Sequence, residues 1–197
     1  MTARSVLLRA LTVLPLAAAL ALAPVAATPA GAAGHGPAAH RQLSLPQLIE
    51  RATAKVRSMY PQAVLMVAEG DAPDGPTRDM AKVSHWRFVL NNNDNSSAEI
   101  SGNLDGTLGP VLRHGSRWVG VLAIDEPLTM TPAAAYERLA AAGHGTAYRY
   151  VSLVKPLGTP PWRLQYHFSG HPGGCDGYAV FVASGGVAPI CGPSLSA

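Results

Sequence analysis

Two stretches carry the spacing of a helix face, and each is followed by strand-like runs; this pattern constrains the chain more than any other. In the first, Leu45, Leu48, Ile49, Ala52, Val56, Met59 and Tyr60 fall on one face of a helix. Ser44 with Gln47 three residues on forms a capping box, and Leu43 with Leu48 the accompanying hydrophobic staple. The second helix opens at Thr131-Pro132, with Thr as N-cap and Pro in the first turn, runs through Tyr136, Leu139 and Ala140, and stops at Gly143.

Each helix is followed by an apolar run, Val64-Leu65-Met66-Val67 or Tyr150-Val151-Ser152-Leu153-Val154. A strand containing Trp-Arg comes next, Trp86 to Leu90 or Trp162 to Phe168, and then a glycine hairpin at Asp105-Gly106 or Ser184-Gly185-Gly186. The offsets between the matching helix, Trp-Arg and hairpin blocks are 87, 76 and 79 residues, a drift that loop insertions between fixed elements produce. The alternative is coincidence between two ordinary helix-strand stretches. The expected fold class is α+β: two αβββ repeats, residues 43–127 and 128–197, with helices covering one face of an antiparallel sheet. Trp118 to Ile124 reads as a further strand or a connector. The other sheet face is left to solvent or a partner.

The amino terminus reads as an export signal. Arg4 and Arg9 precede an uncharged run from Leu11 to Ala27, and small residues follow at Ala26-Ala27 and Gly31-Ala32-Ala33. The run is only seventeen residues long, contains Pro15 and Pro24, and lacks a following basic cluster, which disfavours a retained membrane anchor. Residues 1–33 are therefore expected to leave as a signal peptide, with 34–42 a flexible leader and the remainder extracellular, without a membrane span. Loss of Arg4 and Arg9 takes the fifteen Lys and Arg to thirteen against twelve Asp and Glu, so the exported part is nearly neutral. With no basic stripe interleaved with aromatics, nucleic acid is not an expected partner.

Cys175 and Cys191 are the only cysteines, and an even pair in an oxidising compartment is expected to form a disulfide. Closing so short a loop contributes about 3 kcal/mol in the chain-entropy description. His167, His171 and Cys175 lie at four-residue intervals, but the glycines and prolines among them make a loop rather than a helix face, so no metal site is expected. Cleavage after Ala32 would place His35 third from a free amine, the spacing that chelates copper or nickel, but cleavage one residue later destroys it and the flanking Gly, Pro and Ala read more simply as a flexible leader. The trio Asp71, Asp74 and Asp79 lacks the alternating ligand pattern of a calcium loop.

A helix rising into a meander whose last hairpin turns at Asp105-Gly106-Thr107-Leu108, with Gly185-Gly186-Val187 in the second half, resembles the PepSY type of domain over residues 43–111 and 128–190. The second hairpin lacks the acidic residue of that pattern. The resemblance implies a non-catalytic module of cell-envelope proteins and secreted peptidase pro-regions, binding or restraining peptidases. Tandem helix-plus-sheet inhibitors of secreted enzymes, such as the β-lactamase inhibitory protein, are similar in architecture without a shared motif.

No catalytic constellation stands out. Ser152-Leu153-Val154-Lys155 spells S-x-x-K, but that chemistry needs the serine at a helix start with S-D-N and K-T-G partners, and this serine falls in a strand. G-x-S-x-G, H-E-x-x-H, P-loop and dinucleotide patterns are missing. The chain is thus expected not to be an enzyme and to need no cofactor. Its binding residues are sought on the helix-free face: Arg87, Val89, Arg163, Gln165 and His167, joined by Tyr148 and Tyr150, which read equally as interface anchors, since Tyr and Arg anchor protein interfaces, and as core aromatics of a strand. The functional expectation is a secreted binding protein that inhibits or modulates a secreted peptidase. The alternatives are a cell-wall or small-ligand binder, and a hydrolase of unfamiliar type.

Overall fold

The structure, a computed structural model, describes residues 42–158, 162–170 and 177–190. The signal, the leader up to Arg41, and both cysteines lie outside the described residues, as do His35 and His171. Among the described residues no helix is long and apolar enough to cross a membrane.

Helix α1 spans Leu45–Arg57 and begins where the cap residues place it. The Ser44 amide donates to Gln47 Oε1 at 2.9 Å and the Ser44 hydroxyl to the same oxygen at 3.0 Å, satisfying a donor that the first turn leaves free. Its buried stripe is Leu45, Leu48, Ala52 and Val56. Helix α2 spans Pro132–Leu139, with Thr131 Oγ1 accepting from the Ala134 amide at 3.2 Å. A π-helical turn over Ala140–His144 follows, and Gly143 ends it at φ 87°, a conformation that only glycine adopts without strain.

Eight strands complete the architecture. After α1 come β1 (Val64–Asp71), β2 (His85–Asn91), β3 (Ser97–Asn103) and β4 (Leu108–His114). After α2 come β5 (Tyr150–Val154), β6 (Gln165–Ser169), β7 (Tyr178–Phe181) and β8 (Val187–Pro189). All pair antiparallel in one sheet of order β4-β3-β2-β1-β5-β6-β7-β8.

This overturns the expected pair of αβββ repeats. Among the described residues the strands belong to a single eight-stranded sheet that carries two short helices. The reason lies in β1. Leu65, Met66, Val67 and Ala68 are buried in succession, so the strand is covered on both faces, and it takes β2 on one edge and β5 on the other. The Trp-Arg blocks do not correspond either: Trp86 is a core residue at 2% exposure within β2, whereas Trp162 is 48% exposed and precedes β6. The stretch from Gly115 to Met130 is a connector rather than a further strand of the sheet.

One core lies between the helices and the sheet. It gathers Leu48, Val56, Trp86, Phe88 and Ile100 under α1, and Leu139, Tyr148, Tyr166 and Phe168 under α2. The loop between β1 and β2 closes it: Met80 and Val83 are buried, and the 3-10 turn Met80–Lys82 rests against α2. Trp86 fits because Gly70, opposite it on β1, has no side chain; a Cβ there would come within 2.6 Å of Val83 Cγ1 and 2.8 Å of the Trp86 ring. Gly70→Ala is therefore expected to lower the unfolding free energy by about 1–3 kcal/mol, through overpacking. Urea titration measures it, and an unchanged midpoint would show that Trp86 does not fill this space.

Candidate functional site

The helix-free face is not bare. The bulge at Leu65/Val67 in β1 turns Val67 onto this face, where it joins Val89 and Val154 in a small second core under Trp118 and Val121 of the connector. The connector is tied down along its length. Asn91 Oδ1 accepts from the Trp118 amide at 2.7 Å while Asn91 Nδ2 donates to the Trp118 carbonyl at 2.9 Å. Further on, the Leu122 amide donates to the Lys155 carbonyl at 2.7 Å and the Ile124 amide to the Leu65 carbonyl at 2.8 Å. From there the chain reaches the helix side, where Ile124, Leu128 and Met130 pack on the main core.

Beside this strap lies a polar recess of about 420 Å³. Its lining includes Glu69 and Asp71 of β1, Arg87 of β2, Glu99 of β3, and Tyr150 and Ser152 of β5. Strand alternation places these side chains together, because Glu69 is paired with Arg87 on one edge of β1 and with Ser152 on the other. Arg87 is the hub. Its Nε donates to Glu69 Oε2 at 3.0 Å and its Nη1 to Glu99 Oε2 at 3.0 Å, while Nη2 makes a further bond to Glu69. Its guanidinium also lies 5.4 Å from the Trp118 ring. Burial disfavours the arginine's charge, but the two carboxylates outweigh that and hold its pKa above the ordinary value. On the outer side His114 Nε2 is 3.4 Å from Glu99 Oε2. At the far end Arg149 reaches Asp71 at 3.4 Å and lies 5.4 Å from the Tyr150 ring.

Of the residues expected from sequence, the structure brings Arg87 and Tyr150 together in this recess. Val89 is on the same face but buried at 1% exposure beneath the connector. Gln165 and His167 face the same way on β6, yet Gln165 is only 8% exposed and His167 is largely enclosed. Arg163 is exposed but stands before β6, over the Phe181 ring at 5.5 Å. Tyr148 is not on this face: it is a core residue at 4% exposure, packed against Phe168 and Tyr136, with its hydroxyl donating to the His144 carbonyl at 2.8 Å. The tip between β2 and β3 is held by local bonds, with Asn92 Nδ2 on Ser96 Oγ at 2.8 Å and Asp94 on Arg113 at 3.0 Å.

The sequence reading missed Glu69, Asp71, Glu99, Ser101 and Trp118. The alternation Val67-Glu69-Asp71 and Ser97-Glu99-Ser101 signals a polar face, but which carboxylates meet one arginine depends on the order of strands. Ser152 of the S-x-x-K pattern lies in mid-strand on β5, without the helix start that nucleophile requires. Glu69 and Glu99 are both paired with Arg87. Among the described residues no group of His, Asp and Glu is placed to hold a metal ion.

The described residues thus form one eight-stranded antiparallel sheet with two short helices on one side and a charged recess on the other. No known family, no curated protein and no solved structure matches the chain.

His167 gives this face a pH dependence. Its Nε2 is buried without a hydrogen-bond partner, and burial lowers its pKa to about 4. The folded protein keeps the ring neutral while the unfolded chain takes up a proton near the ordinary pKa of about 6.5, so stability is full above that value and falls as pH drops toward 4. Between pH 7 and 5 the expected loss is on the order of 2 kcal/mol. His167→Gln should remove that part of the slope in urea titrations at the two pH values; parallel slopes for both proteins would contradict it.

Proposed function

We propose that the chain is an exported, non-catalytic binding protein that receives another secreted protein on the helix-free face, across the recess centred on Arg87. The observation that carries this reading is the combination in one recess: a guanidinium fixed by two carboxylates, with Trp118 beside it and Tyr150 in the wall. Arg, Trp and Tyr are the side chains that anchor protein interfaces, and a pre-fixed arginine loses little freedom on association. A secreted peptidase is the partner class implied by the likeness to PepSY-type domains. The continuous sheet, with both helices on the opposite side, supports this reading by leaving the recess open for a partner's protruding segment.

Immobilised protein is expected to retain a secreted protein from the producing organism's culture medium. Tyr150→Ala should cut retention at least about tenfold, in line with a central aromatic anchor. The melting temperature should stay close to that of the parent, because Tyr150 lies outside the core cluster. Retention unaffected by Tyr150→Ala places the partner elsewhere. No retained protein, with turnover of a substrate or capture by purified cell wall instead, overturns the reading.

A further inference from the structure

A second recess, of about 510 Å³, lies where the chain enters β6 and β7 turns into β8, closed on its third side by the residues leading into α2. Its walls are largely apolar, with Trp162, Leu164, Phe181 and Pro127 among them. Its volume falls in the range of sites that enclose a small molecule.

Two side chains here are exposed without a structural need met by exposure. Trp162 is 48% exposed although its Nε1 already donates to the Gly158 carbonyl at 2.9 Å. The ring is thus pinned by its polar atom, with apolar surface left open. Arg163 lies 5.5 Å over the Phe181 ring, and among the described residues it meets no carboxylate within ion-pair distance. The carboxylate in the lining, Glu126, is occupied by Lys155 Nζ at 2.9 Å. A guanidinium set over an aromatic ring still has N–H donors to offer a planar anion.

We propose that this recess binds a small organic monocarboxylate with an apolar or aromatic body, the carboxylate on Arg163 and the body against Trp162 and Phe181. One cation without an acidic partner among the described residues matches one negative charge, and the largely apolar walls suit an organic body better than a highly hydrated dianion such as phosphate. The hydroxyls of Thr129 and Ser184 in the lining add polar contacts at its margin. The ligand is either a free acid or the carboxyl end of a peptide, which share this chemistry. The site is separate from the recess around Arg87 and does not rest on the function proposed there.

The test is titration of the full-length protein with N-acetylphenylalanine, with its amide, and with a short peptide ending in phenylalanine, followed by tryptophan emission. Trp86 is buried and Trp118 packs over the small second core, so the exposed Trp162 is the expected reporter. The acid should change the emission saturably. The amide should bind at least about tenfold more weakly, as should the acid on Arg163→Gln, because a charge-assisted pair is lost in both. Trp162→Phe should abolish the signal. A peptide that binds more tightly than the capped amino acid identifies a chain end as the ligand; equal or weaker binding identifies a free acid. The proposal is overturned if no saturable change occurs, if acid and amide bind alike, or if Arg163→Gln binds as the parent does. The amide comparison is made on the unaltered protein, so misfolding of a variant cannot decide the result.

Discussion

The pairing of β1 with both β2 and β5 is the interaction on which the rest of this structure depends. Five residue pairs, from Val67 with Val154 to Asp71 with Tyr150, join what would otherwise be two small sheets. A four-stranded sheet with a single short helix has little apolar surface to bury, and small units of that kind are marginal. Joined at β1, the strands share one core in which Trp86, Phe88, Tyr166 and Phe168 are all at or below 2% exposure. The recess follows from the same seam. Glu69 and Asp71 lie on one side of it and Tyr150 and Ser152 on the other, while Arg87 and Glu99 come from the next two strands.

The connector shows how one segment serves both faces. Trp118 and Val121 cover Val67, Val89 and Val154, which would otherwise be an exposed apolar patch on the side away from the helices. By covering these valines and stopping at Arg87, the connector leaves the polar part of the face open. The position of Arg87 is therefore fixed from three directions: by β1 through Glu69, by β3 through Glu99, and by the connector through Trp118. Such a charge is costly to remove, since Glu69 and Glu99 would then face each other partly buried and unpaired.

Local features were legible in the sequence because local chemistry decides them. Ser44 with Gln47, Thr131 with Pro132, and Gly143 mark the helix ends, and all three act at those ends in the structure. The strand character of residues 64–67 and 150–154 was legible from their β-branched and apolar residues, but not what they pair with. That omission is the origin of the two-repeat expectation: four buried residues in a row on β1 require cover on both faces, and a self-contained module cannot supply it. The site was half legible for a similar reason. Alternation assigns Arg87 to the helix-free face, whereas the places of Tyr148, just before β5, of Tyr150 in β5, and of Val89, beneath the connector, are set by contacts distant in sequence. Trp162 and Arg163 resemble a strand by composition, yet the sheet begins only at Gln165, and this leaves both side chains free to line a recess.

Hydrogen exchange at the β1–β5 seam tests most directly whether one sheet underlies both the core and the recess. The amides that bond across it, in Val67 to Asp71 and Tyr150 to Val154, are expected to exchange only through global unfolding, at the same free energy as those around Phe88 and Ile100 in the adjoining strands. Exchange across the seam at a distinctly lower free energy than in β2 and β3, with little dependence on denaturant, would show that the halves open independently and would contradict the account.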